Sequence, residues 1–131
     1  MLDMNYNGIT LAYIGDAVIE LAIREKLITS GITDTGRLSA AAQKLVCAPA
    51  QSDAVERVRP LLTPEEEDAY KLGRNHHISG KPKHASVSQY SRATAFEAVF
   101  GYLQLTGNSD RIRILMDAAY SEMIAQLKDK I

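Results

Sequence analysis

Apolar side chains recur at helical spacing, rather than in strict alternation, in six successive segments of this chain. The first segment shows the pattern with Leu11, Ile14 and Val18, which are three and four residues apart. A later segment, Tyr90 to Leu105, is so rich in apolar residues that it indicates a central, largely buried helix. Because no segment shows the alternation of a half-buried strand, the sequence predicts an all-α helical bundle.

Capping residues and helix breakers predict where the helices begin and end. The clearest start is Thr63-Pro64-Glu65-Glu66, a capping box with proline in the first turn and acids at the positive end of the helix. We expect Gly73 to stop that helix, and the irregular stretch up to Ser88 is long enough to indicate a functional or mobile loop. The first expected helix runs from about Leu11 to Leu27. Thr33, Asp34 or Thr35 caps the second helix, and Pro49 ends it. The other four are expected at Ala50 to Val58, Thr63 to Leu72, Tyr90 to Leu105, and from Ser109 onwards.

The bulk composition limits the classes of protein to consider. With 131 residues and 46% hydrophobic content, residues 1–131 are expected to form a single domain. A net charge of -1 excludes a uniformly basic nucleic-acid binder, so any such binding needs a local patch. Cys47 is the only cysteine, which excludes an internal disulfide and disfavours a structural zinc site. No apolar run approaches the roughly 18 residues of a membrane span, so we expect a cytoplasmic protein.

Two acidic residues lie inside the most apolar segments: Asp16 within residues 13–18 and Glu97 within residues 95–100. None of the residues three or four positions away from either acid is basic. Burying an unpaired carboxylate costs on the order of several kcal/mol, so each acid needs a basic group, hydrogen-bond donors or a metal ion. Two interpretations stay open: each acid pairs with an Arg or Lys of another helix, or both hold a hard divalent cation such as Mg²⁺.

The segment from Lys71 to Arg92 is basic in an otherwise acidic chain. It contains five Lys or Arg residues, three histidines and no acid. Such a local excess of positive charge is typical of a phosphate-binding surface, and the alternative is a merely solvated loop. His76 and His77 are adjacent and point apart in most backbone conformations, which disfavours a metal site there.

Two helical motifs resemble those of the ribonuclease III family. LAYIGDAV at residues 11–18 resembles the signature helix of that family, and FEAVFGYL at residues 96–103 resembles its second acidic helix. KLGRN at residues 71–75 is similar to another family segment, and YSRATAFE at residues 90–97 resembles specifically the Mini-ribonuclease III group. Larger members carry a metal cluster of four acids and a further domain that binds double-stranded RNA. Here Ala12 and Thr94 stand at two of those acidic positions and no such domain follows, as is typical of the Mini group.

The resemblance implies a homodimeric endoribonuclease that hydrolyses both strands of double-stranded RNA and leaves 5'-phosphate and 3'-hydroxyl ends. Asp16 and Glu97 are the implied catalytic residues and metal ligands, with Mg²⁺ as the cofactor and Mn²⁺ as a substitute. The implied substrate is a stem of precursor 23S ribosomal RNA, which a ribosomal protein would present. A-form RNA is recognised through its backbone and 2'-hydroxyls, and the residues expected to contact it are Lys71, Arg74, Asn75, Lys81, Lys83, His84 and Arg92.

Two other functions stay open at this point. A non-catalytic helical RNA-binding or ribosome-associated module with the same fold would have lost the chemistry, and the two missing acids are the reason to consider it. A helical domain that docks onto proteins would not retain RNA even at low salt.

Overall fold

The structure, a computed structural model, describes residues 6–75 and 86–129. These residues form six α-helices, and no strand occurs among them. A 3-10 turn at Arg59–Leu61 joins the third helix to the fourth. The helices are α1 (Gly8–Thr29), α2 (Thr35–Val46), α3 (Ala48–Val58), α4 (Pro64–Arg74), α5 (Val87–Leu105) and α6 (Ser109–Asp129). The predicted all-α class is therefore confirmed.

Capping contacts confirm the predicted starts of α2 and α4 and define the start of α5. The backbone N–H of Glu66 donates to Thr63 Oγ1 at 3.2 Å, and the backbone N–H of Thr63 donates to the Glu66 carboxylate at 2.9 Å. These two hydrogen bonds complete the capping box of α4. Asp34 caps α2 and Ser86 caps α5, each through its side-chain oxygen.

Several predicted boundaries differ from the structure. α1 begins at Gly8 rather than Leu11 and ends at Thr29 rather than Leu27, and α5 begins at Val87 rather than Tyr90. α3 begins two residues earlier than expected, at Ala48, because the first turn of a helix tolerates proline and Pro49 occupies that turn. α4 does not stop at Gly73 but ends at Arg74. A Cβ on Gly73 would lie 2.7 Å from Ala95 Cα of α5, so this glycine permits close packing rather than helix termination.

α5 is the central helix, as the sequence predicts, and it packs against α1, α3, α4 and α6. Phe96 lies at the aromatic centre of the core, with ring centroids 4.9 Å from Phe100 and 6.0 Å from Tyr120 of α6. Tyr120 Oη donates to the carbonyl oxygen of Leu45 at 3.0 Å, which satisfies a buried hydroxyl. Among the described residues, no helix combines the length and apolar character needed to cross a membrane.

α1 and α5 cross at a distance that only glycine permits. A Cβ on Gly15 would lie 1.7 Å from the carbonyl oxygen of Glu97, and a Cβ on Gly101 would lie 1.9 Å from that of Leu11. The two helix backbones are therefore in direct contact on both sides of the crossing. The crossing places Asp16, which follows Gly15 on α1, beside Glu97 on α5.

Candidate active site

The side chains of Asp16 and Glu97 meet in a cavity of about 300 Å³ lined mainly by α1, α3 and α5. They are close enough for a hydrogen bond between the two carboxyl groups. Tyr13 of α1, Gln51 of α3 and Thr94 of α5 also form the cavity wall. The fold thus brings together the two acids that the sequence pattern singles out.

Burial has a large effect on the protonation of Glu97. Burial, followed by the negative charge of Asp16 and the hydrogen bond between the two groups, raises the pKa of Glu97 to about 8. A contact with the Gln51 amide acts in the opposite direction and lowers that pKa. In the cation-free protein this shift favours the protonated form of Glu97 at neutral pH. A cation bound by both carboxyl groups would favour their ionisation together.

Neither acid pairs with a basic side chain within residues 6–75 and 86–129, where every ion pair joins other residues. In this part of the chain, the interpretation that each acid pairs with an Arg or Lys of another helix has no support. The expectation of burial is correct for Glu97, which is partly buried, and wrong for Asp16, which is exposed. The other helices do not cover the face of α1 that carries Asp16. Tyr13, three residues before Asp16 on this helix, is 85% exposed.

The side chains of the cavity fit a hard divalent cation that keeps several waters. Mg²⁺ is commonly bound by one or two carboxylates together with water and substrate phosphates. The described residues contain no group of three or more His, Cys, Asp or Glu side chains that could hold a metal. Ala12 and Thr94, where larger members of the ribonuclease III family carry acids, both line the cavity. Thr94 Oγ1 donates to the carbonyl oxygen of Tyr90 at 3.0 Å, and Asp16 and Glu97 are the acidic side chains in this wall.

Gln51 is a cavity residue that the sequence pattern does not single out. Its side chain is 2% exposed, and its Nε2 makes no hydrogen bond of ordinary length with any described residue. The amide of Gln51 therefore lowers the pKa of Glu97 through a polar contact that is longer than an ordinary hydrogen bond. A buried amide without a partner costs about 1–3 kcal/mol, so this atom requires a physical explanation.

The residues expected to contact RNA lie partly within the described chain. Lys71 and Asn75 are exposed at the end of α4, and Arg74 Nε donates to Asn75 Oδ1 at 3.2 Å. Arg92 of α5 is partly exposed and forms an ion pair with Glu56 of α3. Lys81, Lys83 and His84 lie outside the described residues.

Arg74 and Arg92 line a second, open cavity of about 650 Å³ between α3, α4 and α5. Arg59, which the sequence pattern does not single out, is the third arginine in its wall. Arg59 lies 4.4 Å over the ring of Tyr70 and pairs with Glu67 at 3.1 Å, and these contacts fix its guanidinium group. The three arginines, less the two acids Glu56 and Glu67 that pair with Arg92 and Arg59, leave this cleft a net charge of +1.

Comparison with known proteins agrees with the resemblance. The family model described as the ribonuclease III domain matches residues 9–108. The chain is 43% identical over 119 residues to the Mini-ribonuclease 3 of Streptococcus pneumoniae, covering 88% of this chain and 93% of that protein. It is 39% identical over 111 residues to the Mini-ribonuclease 3 of Symbiobacterium thermophilum, covering 85% of each. A crystal structure of a Fusobacterium nucleatum protein has a TM-score of 0.82 at 27% identity, covering 90% of this chain and 96% of that chain.

Proposed function

The chain belongs to the ribonuclease III family of endoribonucleases, and on that premise we propose that it cleaves double-stranded RNA by metal-dependent hydrolysis. The observation that carries the proposal is the contact between Asp16 and Glu97, two carboxyl groups from separate helices in one cavity. Neither has a basic partner among the described residues. A divalent cation is the partner that allows both groups to ionise together.

Asp16 and Glu97 would hold Mg²⁺, with Mn²⁺ as a substitute. When bound, such an ion lowers the pKa of water and stabilises negative charge on the attacked phosphate and the departing 3'-oxygen. As a ligand Glu97 would be ionised, and its partly buried position would fix one side of the site. Asp16 faces the open side, which the RNA backbone can reach. Water attacks phosphorus, the bond to the 3'-oxygen breaks and that oxygen takes up a proton, which leaves 5'-phosphate and 3'-hydroxyl ends.

RNA binding would use the positively charged surface formed by the arginine cleft and the end of α4. Arginine guanidinium groups bind phosphate through paired N–H donors, and three of them line the cleft. Contacts to phosphates and 2'-hydroxyls carry little sequence information, so the surface suits A-form RNA of varied sequence. The residues we assign to it are Lys71, Arg74, Asn75, Lys81, Lys83, His84 and Arg92, together with Arg59.

A homodimer would supply one site for each strand of the duplex. α1 offers an apolar face for the contact, where Leu21 is 60% exposed. Ile14 and Val18 are partly exposed and line the same groove as Leu21, away from the cavity of Asp16 and Glu97. Large apolar side chains that remain exposed together are typical of protein contact surfaces. We therefore propose that two copies of the chain pack through this face of α1.

The resemblance to the Mini group implies that the protein acts in the cytoplasm on a stem of precursor 23S ribosomal RNA, which a ribosomal protein presents. Cleavage of this stem tests the proposed function. We expect the wild-type protein to cut both strands of the isolated stem with Mg²⁺ and neither strand with EDTA. Retention of the stem without cutting in Mg²⁺, both as free RNA and when the ribosomal protein presents it, would contradict the proposal in favour of a non-catalytic RNA-binding module. Failure to retain it at low salt would indicate a protein-docking domain.

Arg74→Gln is expected to weaken duplex binding and to make it less sensitive to salt. Removal of one phosphate contact lowers the slope of log affinity against log salt by about 1 for duplexes of every sequence. The measurement is a titration of duplex RNA in EDTA over a range of NaCl concentrations. Arg113→Gln is the matched control, because Arg113 is exposed on α6 and pairs with Asp110 at 3.1 Å. Equal salt slopes for the two variants would remove Arg74 from the RNA-binding surface.

A further inference from the structure

Gln51 carries a buried amide nitrogen that the described residues leave without a hydrogen-bond partner. The residue lies near the start of α3, is 2% exposed, and lines the same cavity as Asp16 and Glu97. A buried, unpaired amide costs about 1–3 kcal/mol, and an apolar side chain of the same size would avoid that cost. The position therefore indicates a partner that is present only in another state of the site.

Glu97 is the group that can become this partner. Its carboxyl group lies close enough to Gln51 for the amide to act on it, and it also contacts Asp16. Gln51, Asp16 and Glu97 line one cavity, so the amide and both carboxyl groups face the same space. A cation held by both acids would use only some of the lone pairs of the Glu97 carboxylate. The lone pairs that the cation does not use then need a hydrogen-bond donor.

We propose that Gln51 is a positioning residue for the divalent cation: its side-chain amide donates to the ionised Glu97 carboxylate and holds it in the coordinating orientation. This inference rests on the proposed function of Asp16 and Glu97 as metal ligands. Hydrogen-bond partners of metal ligands typically change metal affinity by about 10- to 100-fold. The same amide lowers the stability of the metal-free protein, where the described residues leave it without a partner.

Gln51→Met separates these two effects, because methionine keeps the length of the side chain and removes the amide. We expect the affinity for Mn²⁺, measured by calorimetric titration without RNA, to fall about tenfold. The Tm in EDTA should stay the same or rise, because an unpaired buried group has been removed. Gln51→Leu is a second apolar variant with the same two expected results. Gln43→Met, at an exposed glutamine of α2, is the matched control and should change neither quantity.

Four results would overturn the assignment of Gln51. If the wild type binds Mn²⁺, Asp16→Asn does not, and both Gln51 variants keep wild-type affinity, the metal site stands and the role of Gln51 fails. A lower Tm in EDTA with unchanged Mn²⁺ affinity would assign Gln51 to packing. Unfolding of both variants in EDTA would show that the amide stabilises the metal-free site. Absence of Mn²⁺ binding by the wild type would overturn the metal site itself and the role of Gln51 with it.

Discussion

Glu97→Gln is expected to abolish Mg²⁺-dependent cleavage of duplex RNA and, in the metal-free protein, to raise stability above pH 7. An amide cannot replace the carboxylate as an anionic ligand, so kcat/KM should fall by about 1,000-fold or more. Asp16→Asn should cause a comparable loss while the fold is retained. The measurement is the rate of duplex cleavage at saturating Mg²⁺, together with thermal unfolding in EDTA.

The pH dependence of this stability has a definite sign. Glu97 has a pKa of about 8 in the folded protein against a reference value of 4.5, so the unfolded chain loses its proton at lower pH. Below the unfolded-state pKa, both states are protonated and Glu97 does not affect the free energy of unfolding. As the pH rises from there to about 8, ionisation favours the unfolded state, finally by on the order of a few kcal/mol. Glutamine has no proton to lose, so the Tm of Glu97→Gln in EDTA should exceed that of the wild type by roughly 5–10 °C at about pH 8 and by little near pH 5.

Glu25→Gln is the matched control, because Glu25 is exposed on the same helix as Asp16 and does not line the cavity. This variant should keep the cleavage rate of the wild type and its Tm at every pH. Retained cleavage in Glu97→Gln would exclude Glu97 as a metal ligand. If the Tm of Glu97→Gln equals that of the wild type at every pH, the Glu97 carboxyl group is not buried beside Asp16.

The number of helices and several of their capping residues can be predicted because they depend on local chemistry. Thr63 and Ser86 each accept a hydrogen bond from a backbone N–H three residues ahead, and that spacing is visible in the sequence. Gly73 could not be assigned in the same way. Its role depends on how closely α4 lies against α5, and a glycine near a helix end predicts a stop when no partner helix is known.

The acidic pair of the candidate site could also be predicted, whereas its surroundings could not. Asp16 and Glu97 interrupt apolar segments, which is a signal that a single sequence contains. The exposure of Asp16 depends on which face of α1 the other helices cover, and α1 is apolar on several sides. Gln51 and Arg59 give no local signal, because their significance comes from Glu97 and from the cleft wall, which other helices supply.

Gly15→Ala is expected to change stability in the opposite direction from Gly36→Ala, although both variants replace a glycine inside a helix. Alanine is favoured over glycine in helices by up to about 1 kcal/mol. A Cβ on Gly36 of α2 would lie 3.4 Å from its nearest neighbour, which is tolerable, so that variant should keep the gain. A Cβ on Gly15 would lie 1.7 Å from the carbonyl oxygen of Glu97. No side-chain rotation relieves this clash, since the oxygen belongs to the backbone of α5.

α1 and α5 must separate to accommodate alanine at position 15, which loosens the most extensive helix contact of the fold and moves Asp16 away from Glu97. Overpacking of a core typically costs about 1–3 kcal/mol and occasionally more, so the Tm of Gly15→Ala should fall by about 10 °C. Molecules that still fold should lose Mg²⁺-dependent cleavage, because the two carboxylates no longer reach one cation. Circular dichroism during heating in EDTA and duplex cleavage at low temperature measure the two effects separately. A variant as stable as Gly36→Ala and as active as the wild type would show that the two backbones do not meet at Gly15.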